Sequence, residues 1–130
     1  MMNWDNINDM LKKGFEIGSH TRRHSNLFDI SDDDDLLKDE ILGSKQEIED
    51  NTSQECKYIA WPFGAKRDIN KKSLNLIKSV GYDSCFGAFR GTVNKETNFY
   101  TIPRHEMNLQ IKNQYNQYFA RGNMETELII

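Results

Sequence analysis

Three histidines are the residues best suited to chemistry near neutral pH. His20 and His24 stand four positions apart. One helical turn would hold their Cβ atoms ~5–6 Å apart and pointing the same way. Two neutral imidazoles so placed can reach one metal ion at about 2.0–2.1 Å. A hydrolytic site then needs a third donor, most often a carboxylate, and an open position for water. By spacing alone the pair reads first as surface or capping histidines, with a metal site as the sharper alternative. Asp32, Asp33, Asp34 and Asp35 form a second charged group. Calcium loops space their ligands around a glycine turn, whereas a contiguous run suits the first turn of a helix. Cys56 and Cys85 are either two thiols or one bridge, and are read first as buried free thiols.

The elements that must position these groups alternate. Asn3 is placed to cap a helix carrying Trp4, Ile7, Met10 and Leu11, which Gly14 ends. Residues 15–19 suit a buried strand end, and residues 20–30 a loop. Ser31 is expected to start a helix whose first turn holds the four aspartates and whose face runs Leu37, Ile41, Lys45, Ile48. Residues 56–61 read as a strand stopped by Pro62, with a turn at Phe63-Gly64. Asp68 is expected to cap a helix through Leu74, Ile77 and Val80, which Gly81 closes. Strands are expected over 82–89 and 99–102, and a last helix, capped by Asn108, over 109–121. Such alternation predicts an α/β fold with a parallel sheet or a segment of a barrel, and chemistry at the carboxyl ends of its strands.

Composition narrows the classes. The chain has 130 residues, 37% hydrophobic and 28% charged, which suits one globular domain spanning 1–130. Its net charge of −3 argues against general nucleic-acid binding. No apolar run reaches the ~18 residues of a membrane span, and the first residues carry no secretory signal.

The residues from Gly14 to His24, Gly-Phe-Glu-Ile-Gly-Ser-His-Thr-Arg-Arg-His, resemble the second motif of the polysaccharide deacetylases, the NodB-homology carbohydrate esterases. That motif reads G-x-E-I-G-x-H-[ST]-x-x-H. Residues 58–64, Tyr-Ile-Ala-Trp-Pro-Phe-Gly, look like the family's third motif, R-x-x-P-[YF]-G. Gly81-Tyr82-Asp83 and Ile102-Pro103-Arg104 are weaker matches further along. The resemblance covers roughly residues 3–107. It implies a distorted (β/α) barrel and hydrolysis of acetyl groups on a polysaccharide at a divalent metal, usually zinc. It makes His20 and His24 metal ligands and lets Thr21 orient their turn. Pro62, Phe63 and Gly64 become one wall of the sugar groove, and a main-chain N–H beside Phe63 serves the oxyanion. Trp61 is either a sugar-stacking face or core, and core is favoured because proline follows it at the strand end.

The departures are as informative. The family's first motif, T-F-D-D, supplies the third ligand and the general base, and it occurs nowhere in these 130 residues. The third-motif arginine falls on Ile59; Arg104 is the candidate to fill its space. The late L-x-x-H motif is also missing, which leaves His105 as either the general acid or a surface residue at a strand end. The resemblance thus implies a partial barrel lacking its first strands, with the aspartates on an N-terminal segment or a partner chain. A barrel in that state exposes sheet edges and is expected to be marginally stable. Many family members act at the cell surface or outside the cell. Three readings follow: a metal-dependent deacetylase, a non-catalytic remnant binding carbohydrate or a partner, and a small α/β binding domain with incidental histidines.

Overall fold

Helix α1 (Trp4–Lys12) forms where the sequence supplies a reciprocal cap. The Asn3 side chain accepts from the Asn6 N–H at 3.0 Å, and the Asn6 side chain accepts from the Asn3 N–H at 3.1 Å. Gly14, at φ +87°, turns the chain out of the helix. The apolar face of Trp4, Ile7, Met10 and Leu11 is half-buried, and no residue of α1 is fully buried. The computed structural model describes residues 2–104; His105, the Asn108 cap and the helix expected over 109–121 lie outside the described residues.

The second helical stretch departs from expectation at its start and in its middle. Asp33, rather than Ser31, is the cap, its side chain accepting from the Leu36 N–H at 3.0 Å. Asp34 and Asp35 then occupy the first turn of α2 (Asp34–Lys38), where carboxylates favour the helix dipole. The helix next widens into a π-turn, Asp39–Gly43, before α3 (Ser44–Thr52) resumes the ordinary winding. Periodicity predicted one continuous helix because a π-turn adds a residue without changing which side chains are apolar.

Strands β1 (Tyr58–Ala60) and β2 (Ser84–Phe86) pair in parallel, Ile59 opposite Cys85. Both are shorter than the expected 56–61 and 82–89. The expected strands at 15–19 and 99–102 survive as single parallel bridges, Ser19 to Ile59 and Ile102 to Phe86. Four parallel segments therefore lie side by side in the order Ser19, β1, β2, Ile102. Between the strands, Asn70 caps α4 (Lys71–Ser79) by accepting from the Ser73 N–H at 2.9 Å. Asp68, expected there, instead closes a 3₁₀ turn (Lys66–Asp68) by accepting from the Ala65 N–H at 2.9 Å. Gly81 ends α4 at φ +85°, as its position predicts.

The core lies between this sheet and the helices. Leu37, Ile41, Ile59, Trp61, Ile77 and Tyr82 are each no more than 1% exposed. Cys56 and Cys85 are buried free thiols. Burial pushes both thiols up from their ordinary value, which leaves them protonated and poor nucleophiles. Among the described residues no helix is long and apolar enough to cross a membrane.

Candidate functional site

The parallel order has a direct consequence for chemistry. His20 follows Ser19, Trp61 and Pro62 follow β1, Gly87 follows β2, and Pro103 and Arg104 follow Ile102. All four segments therefore send their next residues to the same carboxyl edge, where α/β sheets place ligands.

The histidine loop is the centre of that edge. The His20 Nδ1 lies 2.9 Å from the Ala60 carbonyl oxygen. A carbonyl only accepts, so Nδ1 carries the proton, and the lone pair of neutral His20 sits on Nε2. The His24 ring meets the His20 ring edge-on, with centroids 4.9 Å apart and planes at 74°. They are neighbours without a helix, because residues 21–24 form a loop. Thr21 (φ +64°) and His24 (φ +62°) both adopt left-handed backbone, and these two reversals fold the second ring back on the first. On its far side His24 packs edge-on against Phe63, at 5.1 Å and 68°.

A buried carboxylate holds the loop. Glu40, on the π-turn, is 0% exposed. Its Oε2 accepts from the backbone N–H groups of Arg22 and Arg23 at 3.0 and 2.9 Å. Its Oε1 accepts from the Ser25 hydroxyl at 3.0 Å and lies 3.3 Å from the Arg23 guanidinium. Burial alone would raise the Glu40 carboxyl, but the Arg23 backbone N–H, the Ser25 hydroxyl and the Arg23 guanidinium outweigh it and hold the group below the ordinary carboxylate range. Outside the loop, Asp39 pairs with both Arg22 and Arg23. The Arg23 guanidinium and that of Arg22 hold the Asp39 carboxyl low despite partial desolvation.

A second set of bonds ties the π-turn and the start of α3 to Ser19, the bridge residue that precedes the histidines. Ser19 Oγ and Ser44 Oγ are 2.8 Å apart, and the Thr21 N–H donates to Ser19 Oγ at 3.1 Å. The Ile41 carbonyl accepts from the Ser44 hydroxyl at 3.0 Å and from the buried Tyr82 hydroxyl at 3.1 Å. Burial pushes the Tyr82 phenol up to about 12, so it stays a donor.

The turn after β1 forms the adjoining wall. Trp61 is 0% exposed, and Pro62 is also buried. The Trp61 ring is therefore core, and its faces are not open to a sugar. Phe63 is 60% exposed and stands at φ +61°. Gly64, at φ +65°, has no room for a side chain: a Cβ there would lie 2.8 Å from the Ala88 nitrogen. Ile59, where the motif would hold arginine, is a 1% exposed core residue. An Arg104 guanidinium nitrogen lies 3.5 Å from the Trp61 carbonyl oxygen, at the end of β1. A cleft of about 630 Å³ opens elsewhere, between Leu11, Phe15, Ile48 and Lys57, and neither histidine lines it.

Of the residues singled out by sequence, His20, His24, Phe63, Gly64 and Arg104 thus share one edge, with Trp61 and Pro62 beneath it. Among the described residues, no group of three or more His, Cys, Asp or Glu side chains is arranged to hold a metal ion. Glu40, Ser44 and the Ala60 carbonyl were not expected. A signal for the first two was present: Glu40 and Ser44 fall on the same helical stripe as Leu37, Ile41 and Ile48. A charge on a buried stripe announces a partner.

A family model described as polysaccharide deacetylase matches residues 1–85. The chain belongs to the polysaccharide deacetylase family. Solved structures agree with that fold. A polysaccharide deacetylase from Bacillus cereus superposes with a TM-score of 0.73 at 21% identity, covering 91% of this chain and 36% of its own. The Streptococcus pyogenes deacetylase PplD, solved in complex with acetate, gives 0.78 at 18% identity, covering 91% and 50%. A de-N-acetylase from Aggregatibacter actinomycetemcomitans gives 0.76 at 17% identity, covering 92% and 53%. This chain therefore spans about a third to a half of the length of these deacetylases. No curated protein gives a significant match.

Proposed function

We propose that the chain contributes the histidine half of a metal-dependent deacetylase site acting on an N-acetylated sugar polymer. The observation that carries this reading is the His20–His24 pair, with one ring locked by the Ala60 carbonyl and the other clamped between His20 and Phe63. The two rings fit a divalent cation, most readily zinc, as two of its donors: His20 would present Nε2, because Nδ1 is committed to the backbone. A third donor is not in place among the described residues. When bound, the ion would supply Lewis-acid polarisation of an acetyl carbonyl and an acidified water.

The chain's own residues then divide the remaining work. Phe63 would offer its exposed ring as one wall of the sugar groove. The main chain at Phe63-Gly64, fixed by tight packing on Ala88, would place an N–H for the oxyanion. Arg104 would act from the segment after Ile102, its guanidinium reaching the end of β1, and His105 would donate a proton to the departing amine. We further propose that the four parallel segments are an arc of a distorted (β/α) barrel, closed in the working enzyme by a segment or partner chain carrying the paired aspartates.

The test is acetate release from an N-acetylated chitooligosaccharide or poly-N-acetylglucosamine in the presence of zinc. It is run with this chain and with a fusion that adds a strand bearing two adjacent aspartates. Release by the fusion that is lost on His20→Ala supports the reading. Binding of the sugar without release by either form would favour a non-catalytic role. In the active form Arg104→Ala is expected to lower kcat; unchanged turnover would remove Arg104 from the site.

A further inference from the structure

The loop that carries the two imidazoles is conformationally expensive. Two of its residues other than glycine, Thr21 and His24, hold left-handed backbone at φ +64° and +62°. Between them the N–H groups of Arg22 and Arg23 point inward, away from any strand or helix ladder. A loop of this kind keeps one shape only if something outside it over-determines that shape. We infer that Glu40 is the positioning residue of the histidine pair: its buried carboxylate gathers Arg22, Arg23 and Ser25 and thereby sets the separation and tilt of the His20 and His24 rings. The inference rests on the reading of those rings as ligands, and deepens it.

Three observations carry it. The carboxylate is 0% exposed and takes two backbone and one hydroxyl donor from residues 22–25, all at 3.0 Å or less. It stands on a π-turn, the one wide turn between α2 and α3. A π-turn rotates the residues around it relative to a plain α-helix, and such turns recur at functional sites. The turn is in addition fastened to the residue before the histidines, through Ser44 to Ser19, and to the core, through the Ile41 carbonyl to Tyr82. The hydrogen bonds of Glu40 go to Arg22, Arg23 and Ser25 rather than to either ring. Glu40 acts through the backbone between the rings, as outer-shell partners of ligands do.

The experiment follows the imidazole resonances of the full chain by NMR, first without metal and then during addition of zinc ion, in the parent and in three variants. Glu40→Gln keeps an acceptor oxygen for the two backbone donors. Glu40→Asp keeps the charge but withdraws it by one methylene. Glu40→Ala removes it. The expected result is a His20–His24 ring-to-ring contact in the metal-free parent, retained in Glu40→Gln and lost in Glu40→Asp and Glu40→Ala. Zinc affinity is expected to fall by roughly 10–100-fold in the latter two and by much less in Glu40→Gln. A merely structural glutamate would lower the melting temperature and leave the ring contact and the affinity of the folded protein alone. Parent-like contact and affinity in folded Glu40→Asp or Glu40→Ala would overturn the inference. Should both variants fail to fold, amide exchange in the parent decides: protection of the Arg22 and Arg23 amides comparable to the core supports the role, and exchange at the rate of a free loop overturns it. If the parent's imidazoles ignore zinc, the ligand reading fails, while the metal-free ring contact still reports on Glu40.

Discussion

Two turns meet at the carboxyl edge of the sheet, and both contain left-handed backbone at residues with bulky side chains, yet they are held in different ways. The loop at residues 21–24 leans on a side chain distant in sequence, Glu40, through charge-assisted hydrogen bonds. The turn at residues 62–64 leans on packing: Trp61 and Pro62 fill the space beneath it, and Gly64 lies against the Ala88 backbone. The first turn is thus sensitive to one carboxylate and to pH. The second is sensitive to volume. Hydrogen bonds give the histidine loop direction, which ligands need, and packing gives the Phe63 turn a fixed platform.

Each half of that contrast can be broken separately. The largest effect is expected from Trp61→Ala, which empties the platform and should cost about 3–5 kcal/mol in urea unfolding. A cost below about 1 kcal/mol would mean that the indole is not core. Gly64→Ala comes next. The left-handed backbone and the 2.8 Å approach to the Ala88 nitrogen should together cost about 2–4 kcal/mol, with little change at the histidines. Both losses should be nearly independent of pH between neutrality and mild acid.

The histidine loop should show the opposite behaviour. Glu40 is held below its ordinary value of 4.5 in the folded state, so its unfolded form binds the proton more readily. Its stabilising contribution is complete above about that ordinary value and is lost as pH falls through the lower folded-state value. Glu49, held low by the Cys56 N–H and by Lys45 against its own desolvation, adds to the same acid limb. Urea midpoints measured from neutral pH downward should therefore decline below pH 4.5, and Glu40→Gln should flatten part of that decline. An identical acid limb in Glu40→Gln would show that the carboxylate is not held by the loop. The smallest effect has the opposite sign. Phe63→Gly relieves left-handed strain at an exposed position and should raise stability by about 0.5–1 kcal/mol, measured by the same unfolding, while weakening any sugar contact.

The contrast also explains what was legible in the sequence. The packed turn is written locally: Pro62, Phe63 and Gly64 are adjacent, and proline and glycine state their backbone roles outright. The histidine pair was legible as a motif, and residues 20–30 were legible as a loop, but the way the loop brings the rings together was not. The rings meet through two left-handed residues whose sequence, threonine and histidine, gives no such signal. Glu40 escaped because the π-turn is invisible to periodicity and its partners are some 15–18 positions away. The strand ends at 15–19 and 99–102 were overextended for a similar reason. Apolar pattern marks where a segment is buried, while ladder length depends on neighbours that pattern does not name.

Zinc binding to the unaltered chain tests the central claim most directly. Zinc ion is added while the imidazole signals of His20, His24 and His105 are followed together. The account predicts that the His20 and His24 signals shift in concert and saturate, and that His20→Ala abolishes the response of His24. Unmoved signals at both residues, or a response confined to His105, would contradict it.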